Sequence, residues 1–302
     1  MKTIKIRDLE YLNAVDTYKH FGKAAEACYV SQPTLSSQII KFEEQLGITL
    51  VERHRGNILL TPKGQQLAIK ARKVLLAAQE FEITAKKIGD PLAGELHLGL
   101  IPTLSPYLLP HIMPSIISRF SELEIFPQEN QAWELIRLLD QGHLDVLILP
   151  WLEEMSIFDA YDLFEENLVL AVSKEDPLAQ QKTACPADLK GRKILILNAQ
   201  HCLKKQTLDY CIAAGAEEDT RFQATSLETL HHLVASGIGI TLLPQLATIT
   251  HQQRKNIHYI KFEAPQPSRR IVLLTRKNYT RLECVREIVS LVRKSLKDKL
   301  RL

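Results

Sequence analysis

Two cysteines and their basic neighbours are the residues of this sequence best suited to chemistry. Cys202 follows His201 and precedes Lys204 and Lys205, and Cys211 lies nine residues further along the chain. A thiolate is the nucleophilic form of cysteine, and both cationic neighbours and a helix N-terminus lower the pKa of a thiol. Oxidation of such a thiol by a peroxide gives a sulfenic acid, which a second thiol can convert into a disulfide.

The spacing of these two thiols sets a geometric problem. Leu203 to Ala214 has the pattern of a short amphipathic helix that would begin beside Cys202. Nine helical residues place the second sulfur roughly 13 Å along the axis and on the opposite face, whereas a disulfide needs Cα atoms within about 7 Å. Either Cys211 is only a small buried hydrophobe, or the two thiols join when the helix between them unwinds.

Composition and the N-terminal segment indicate the compartment. The chain has 302 residues, of which 45% are hydrophobic and 24% charged, and no stretch approaches a membrane span. We therefore expect a cytoplasmic protein that does not bind membranes, whose five cysteines are reduced and whose disulfides are transient. Cys28, Cys185 and Cys284 are interpreted as structural, and the sequence predicts neither a metal site nor a cofactor.

The N-terminal quarter of the chain is mildly basic. Residues 1–90 hold 14 Lys and Arg against 10 Asp and Glu. Helical patterns run from Arg7 to Tyr18 and from Gly22 to Cys28, and Ser31 is placed to cap a third helix that ends at Gly47. A helix, a tight turn and a capped helix form a helix-turn-helix, whose second helix lies in the DNA major groove. The residues expected to face DNA are Gln32, Pro33, Thr34, Ser36, Ser37, Gln38 and Lys41.

Two short strands around an Arg55-Gly56-Asn57 turn follow, and they predict a wing that brings Arg53 near the phosphate backbone. We therefore predict a winged helix-turn-helix domain for double-stranded promoter DNA over residues 4–61. The alternative is a pair of surface helices without a partner.

A longer helix is predicted over residues 62–89, with apolar residues in a heptad pattern. Such a seam packs against another helix, which predicts a homodimer on a two-fold related DNA site. The alternative is a helix that packs on its own domain. The predicted seam is Leu67, Ala71, Val74, Ala78, Phe81, Ala85 and Ile88.

From Asp90 onward, strands and helices alternate, which predicts an α/β regulatory domain over residues 92–302. Ligands of such sheets bind at the carboxyl ends of strands, where Thr103, Thr225 and Ser226 are expected. The chain is expected to cross between two lobes, with lobe I over about 92–165 plus 269–302 and lobe II over about 166–268.

The N-terminal motifs resemble those of LysR-type transcriptional regulators over Ile6 to Gly64, in A-A-E-A-C-Y-V-S-Q-P-T-L-S-S-Q-I and L-T-P-K-G. Three further stretches are similar to the hydrogen peroxide-sensing members of that family: Gly99 to Pro110, His201 to Leu203 and Ala224 to Leu230. The resemblance implies a two-lobed fold like that of periplasmic binding proteins.

For the site, the resemblance implies that Cys202 is the peroxidatic thiol, that Cys211 is the resolving thiol, and that His201, Thr103 and Arg270 orient peroxide. It also implies an activator of the oxidative-stress response that forms a homodimer or homotetramer and contacts RNA polymerase. Ala132 and Gln200 depart from the family pattern, because many members have a threonine at the first position and a glycine at the second.

Three hypotheses follow. The first is a peroxide-sensing transcription regulator, and the second is a LysR-type regulator gated by a small molecule in the cleft between the lobes, with incidental cysteines. The third is a thiol peroxidase, for which residues 1–88 would have no use, so we expect the protein not to be an enzyme.

Overall fold

The computed structural model describes residues 4–54, 57–86, 92–198, 202–249 and 256–300. Contacts between residues divide the chain into two compact units, of which the first ends at Gly89 and the second begins at Asp90. The predicted Ile88 lies outside the described residues, as do Arg55, Gln200 and His201.

Local signals in the sequence set the ends of the first three helices. The His20 side chain accepts hydrogen bonds from the amides of the first turn of the second helix, and the Ser31 hydroxyl accepts one from the amide of Thr34 at 3.3 Å. Gly47 ends the third helix with a φ of 70°, in the left-handed region that glycine adopts easily. The predicted helix-turn-helix is thereby confirmed. Its helices are α1 (Ile6–Tyr18), α2 (Phe21–Ala27) and α3 (Gln32–Leu46).

The wing and the long helix follow as predicted. Strands β1 (Val51–His54) and β2 (Asn57–Leu60) are antiparallel, and α4 (Pro62–Lys86) begins where the Thr61 hydroxyl accepts the amide of Gly64 at 2.9 Å. A Cβ at Gly64 would lie 2.1 Å from the carbonyl oxygen of Leu50. This glycine therefore permits the close approach of α4 to the chain that enters the wing.

The second unit is a mixed α/β structure. Its strands are β3 (Gly94–Leu100), β4 (Leu123–Glu129), β5 (Val146–Pro150), β6 (Asp159–Ser173), β7 (Thr183–Ala184), β8 (Lys193–Ile194), β9 (Glu217–Glu218), β10 (Thr241–Pro244), β11 (Ile257–Phe262) and β12 (Ser268–Thr275). Its helices are α5 (Ser105–Arg119), α6 (Ala132–Asp140), α7 (Cys202–Ala213), α8 (Leu227–Ala235), α9 (Gln245–Ile249) and α10 (Leu282–Leu300), with short 3-10 turns at Glu153–Met155, Pro177–Gln180 and Pro186–Leu189.

Most strands of this unit share one sheet, in the order β4-β3-β5-β12-β6-β11-β7, with β10 also paired to β6. Strand β3 is parallel to β4 and β5, as the alternation of strands and helices predicts. Strand β12 is antiparallel to both β5 and β6, and β8 and β9 form a small parallel pair. The central strands β6 and β12 therefore connect the two halves of a two-lobed arrangement.

The predicted change of lobe between residues 165 and 166 falls inside β6, a single strand of 15 residues. From Leu168 to its end, every residue of this strand is buried, as is typical of strands covered on both faces. No helix within the described ranges is long and apolar enough to cross a membrane.

Candidate redox site and DNA interface

Cys202 is the first residue of α7 and is half-buried against the core of the regulatory unit. The predicted helix between the two thiols is confirmed, since α7 extends from Cys202 to Ala213. Leu203, Thr207 and Cys211 are the buried residues of its inner face, and Cys211 is 1% exposed. Helical geometry therefore separates the two sulfur atoms by roughly 13 Å along the axis.

The buried face of α7 is imperfectly packed. A cavity of about 10 Å³ is lined in part by Leu203, Thr207 and Leu230. The hydroxyls of Thr207 and Tyr210 are buried and have no hydrogen-bond partner within the described part of the protein. Hydroxyls in such positions need a partner, because an unpaired buried hydroxyl costs about 1–3 kcal/mol.

A second buried cluster of this unit is centred on a guanidinium. Arg269 on β12 donates from Nη1 to the Thr103 hydroxyl at 3.3 Å and from Nη2 to the Thr103 carbonyl at 3.1 Å. Thr103 is itself buried and follows β3, at the carboxyl end of that strand. Arg269 also pairs with Glu166 on β6, at 2.8 Å from Nε and 2.7 Å from Nη2, and both side chains are 0% exposed.

Arg270, which the sequence indicated as an orienting residue, does not belong to this buried cluster. Its side chain is about half exposed, pairs with Asp162 and stacks over the ring of Trp151 at 5.4 Å. Adjacent residues of a strand point to opposite faces of the sheet, so only one of the two arginines can reach Thr103. The structure therefore places Arg269 against Thr103 and the predicted Arg270 on the other face, while a peroxide-orienting role stays a prediction.

The environment of the Cys202 thiol also differs from expectation. Burial raises the pKa of Cys202 above its usual value, while Arg269 and the backbone amides of Cys202 and Leu203 lower it in part. Lys204, expected to lower the pKa, instead pairs with Glu218 at 2.7 Å. The net direction is upward, because a half-buried thiol loses more hydration on ionisation than one cation restores.

The other predicted residues of this region have varied surroundings. Ser226 caps α8 by accepting the amide of Thr229 at 3.2 Å, which gives it a structural role, and Thr225 is exposed. Ala132 is buried at the first turn of α6 and offers no hydroxyl to a ligand. The described residues contain no cluster of His, Cys, Asp and Glu that could hold a metal ion.

On the first unit, α3 presents part of the predicted DNA-reading set. Gln32, Pro33, Thr34, Ser37 and Lys41 are exposed. The remaining two members, Ser36 and Gln38, are only half-buried. Arg53 lies on β1, where the backbone of the wing is described but its side chain is not.

The predicted seam of α4 divides into two parts. Ala71 is 2% exposed and Leu67 packs against the same core, so both contact the helix-turn-helix of their own chain. By contrast, Val74 is 46% exposed and Phe81 is 74% exposed. The first part of the seam is therefore corrected to an intrachain contact, and the second part is available to a partner helix.

Comparisons with known proteins agree with both units. Residues 6–65 match the family model of the bacterial regulatory helix-turn-helix protein, lysR family. Residues 89–297 match the LysR substrate binding domain. The chain belongs to the LysR family of transcriptional regulators.

Within the LysR family, the chain is similar to proteins named for their response to peroxide. It is 44% identical to the hydrogen peroxide-inducible genes activator of Haemophilus influenzae, over 99% of this chain and 100% of that protein. It is 45% identical to the DNA-binding transcriptional dual regulator OxyR of Escherichia coli K12, over 90% of each chain. A full-length OxyR variant from Pseudomonas aeruginosa matches the structure with a TM-score of 0.77 and 29% identity, over 96% of this chain and 98% of that one.

Sequence reasoning missed Arg269 and Glu166 in this LysR-type regulatory unit. The signal for both is a charged residue whose neighbours two positions away on the same face of the strand are apolar. A charge buried on such a face requires a partner of the opposite sign. Arg269 pairs with Glu166 in register across β6 and β12, and that register cannot be read from either segment alone.

We predict that the two thiols differ sharply in alkylation of the reduced protein by iodoacetamide. Burial raises the pKa of Cys211 to about 12, so Cys211 stays unmodified until the protein is denatured. Cys202 is half-buried, and its rate should continue to rise with pH beyond the range in which a free cysteine has become a thiolate. Peptide mapping across a pH series measures both, and equal rates for the two thiols would contradict the described packing of α7.

Proposed function

We propose that the chain is a DNA-binding transcriptional activator of the oxidative-stress response that senses hydrogen peroxide through a reversible Cys202–Cys211 disulfide. The observation that carries the proposal is the position of Cys202 at the first turn of α7, with Cys211 buried on the same helix. The names of the peroxide-inducible relatives support the same stimulus. As a regulator of promoters it would act in the cytoplasm.

The proposed chemistry consumes one peroxide for each disulfide. The Cys202 thiolate attacks one peroxide oxygen, the O–O bond breaks, and the departing hydroxide takes a proton to form water. The resulting sulfenic acid condenses with the Cys211 thiol, which forms the S–S bond and releases a second water. Two electrons from the two thiols thus reduce peroxide to two water molecules, and a cellular thiol reductant restores the reduced form.

The disulfide requires α7 to unwind, because roughly 13 Å of helix separates the sulfur atoms. Closing a loop of about ten residues constrains the chain by about 2.5–3 kcal/mol. A single short helix is only marginally stable by itself in water. The helical and unwound conformations of this segment are therefore expected to differ by only a few kcal/mol, as a two-state switch requires.

We propose that the switch acts by changing how the subunits of the oligomer associate. Unwinding of α7 changes the surface of the regulatory unit, which would alter how subunits and RNA polymerase associate with it. The two DNA-binding units of a dimer would then be repositioned on two half-sites. The protein needs no catalytic turnover for this role, so one equivalent of peroxide should be consumed per switch.

We expect one equivalent of hydrogen peroxide to convert the reduced protein to the Cys202–Cys211 disulfide, as measured by peptide mapping. Cys202→Ser should abolish the response, whereas Cys211→Ser should leave a sulfenic acid that dimedone traps on Cys202. Cys185→Ser is the matched control, because Cys185 is also partly accessible and should be dispensable. Inert Cys202 would instead favour a LysR-type regulator gated by a small molecule, and catalytic consumption of peroxide with a reductant would favour a peroxidase.

Hydrogen exchange measures the conformational change that should accompany the disulfide. Amides of residues 203–211 should exchange faster in the oxidised protein, since their helical hydrogen bonds are lost. A disulfide that forms without this change would show that α7 does not unwind, and the coupling described above would be wrong.

We predict different effects for two substitutions in the DNA-binding unit. Arg53→Ala should weaken binding to operator and random DNA alike and lower the salt slope by about one, because one phosphate contact is lost. Gln32→Ala should alter sequence preference, since the Gln32 side chain is exposed at the first turn of α3. Equal losses on both DNAs from the Gln32 change would indicate that another helix occupies the groove.

We further predict that Phe81→Asp converts the dimer to a monomer, because a seam that buries an unpaired charge loses several kcal/mol. Phe81 is exposed in the single chain, so the substitution should leave the DNA-binding unit folded, unlike a charge at Ala71. Glu82→Ala, at an exposed neighbouring position, is the control. Sedimentation velocity measures the outcome, and an unchanged coefficient for Phe81→Asp would exclude this part of α4 from the interface.

A further inference from the structure

A cavity of about 470 Å³ in the regulatory unit is lined by β6, β11, α9 and the end of α10. Its volume falls within the roughly 300–1,000 Å³ that is typical of small-molecule sites. Ile257, Tyr259 and Lys261 share one face of β11, because side chains of a strand alternate, and all three line the cavity. Its described lining includes no residue of α7 and neither Thr103 nor Arg269, so the cavity is separate from both buried clusters described above.

The fixed charges around this cavity are all positive. Lys174, Lys261 and Lys299 line it, with His258 beside them, and its described lining contains no Asp or Glu. The sequence from Gln245 to Phe262, which supplies α9 and β11, also has no acidic residue. Three ammonium groups around one cavity repel one another, so an anion placed among them would relieve that repulsion.

Acidic residues close to these lysines in sequence do not neutralise them. Glu175 follows Lys174 but lines a different cavity, and Glu263, two residues after Lys261, accepts the Thr183 hydroxyl at 3.2 Å. Among the described side chains, none of the three lysines forms an ion pair with a carboxylate. Their charge is therefore available to a ligand.

Lys299 is held at the cavity by His111 of α5. The Nζ atom of Lys299 lies 2.6 Å from Nδ1 of His111. Burial and then the charge of Lys299 lower the pKa of His111, so the ring is neutral at pH 7 and its Nδ1 can accept from the lysine. An ammonium group carries three N–H donors, which leaves two of them for a ligand.

We propose that this cavity, named here the basic pocket and defined by Lys174, Lys261 and Lys299, binds a phosphorylated small molecule with at least two negative charges. Lysine is a compact point charge suited to phosphate oxygens, whereas arginine is favoured where a carboxylate is bound through two parallel hydrogen bonds. The described lining contains no arginine. A ligand in the basic pocket would connect α10 to β11 and α9, and it would be an input to the regulator separate from the oxidation of Cys202.

The test is isothermal titration calorimetry of the reduced full-length chain with sodium pyrophosphate, at pH 7 and constant ionic strength. We expect one site per chain. Lys174→Gln and Lys261→Gln should each weaken binding about tenfold, because each removes one charge-assisted contact, and the double variant should not bind. Lys277→Gln is the matched control, since Lys277 is exposed two residues after β12 and does not line the pocket.

The lysines to be replaced at positions 174 and 261 are exposed, so the variants should fold, which thermal unfolding followed by circular dichroism verifies. Absence of saturable binding to the parent at millimolar pyrophosphate would overturn the proposal. Binding that survives in the double variant would belong to another basic surface, and an equal loss in Lys277→Gln would show a general effect of net charge; either result would also overturn it.

Citrate, titrated under the same conditions, separates phosphate recognition from attraction of any multivalent anion. We expect citrate to bind at least about tenfold more weakly than pyrophosphate, because its planar carboxylates match separate point charges less well. Equal affinities would contradict the assignment to a phosphorylated ligand. Since no peroxide is present and no cysteine is changed, these results are independent of whether Cys202 proves to be a peroxide sensor.

Discussion

The length of α7 sets the distance between the two thiols of the regulatory unit. While α7 is intact from Cys202 to Ala213, its two thiols cannot approach within bonding distance, so a disulfide between them would require this segment to unwind. A more stable helix would oppose disulfide formation, and a less stable one would not keep the thiols apart.

The central strands β6 and β12 supply the second constraint, because they bring a buried charge pair to the site. Arg269 and Glu166 face each other in register on these strands, and the next pair outward, Arg270 and Glu165, is on the other face of the sheet. The same two strands pair with β5, β10 and β11. The buried charge pair is therefore anchored in the part of the sheet that joins the two halves of the unit.

The sequence predicted well those features that depend on local signals. The ends of α3 follow from Ser31 and Gly47, and the spacing of the thiols follows from the helical pattern after Cys202. Features that depend on long-range pairing were predicted poorly. Arg269 and Arg270 are adjacent in sequence, and only the register of β12 decides which is buried. Lys204 is near Cys202 in sequence, but its side chain forms an ion pair with Glu218.

The raised pKa of Cys202 bears on how a sensor of this kind would be selective. A thiol with a lowered pKa reacts readily with many electrophiles, because its thiolate is abundant at neutral pH. Here burial keeps the thiolate scarce, so speed towards peroxide must come from stabilisation of the charge that develops on the departing oxygen. Arg269 and the first amides of α7 are donors fixed before the reaction begins, and such preorganised donors stabilise a transition state more than a ground state. The rate of a peroxide reaction at Cys202 would then depend on these fixed donors rather than on the acidity of the thiol.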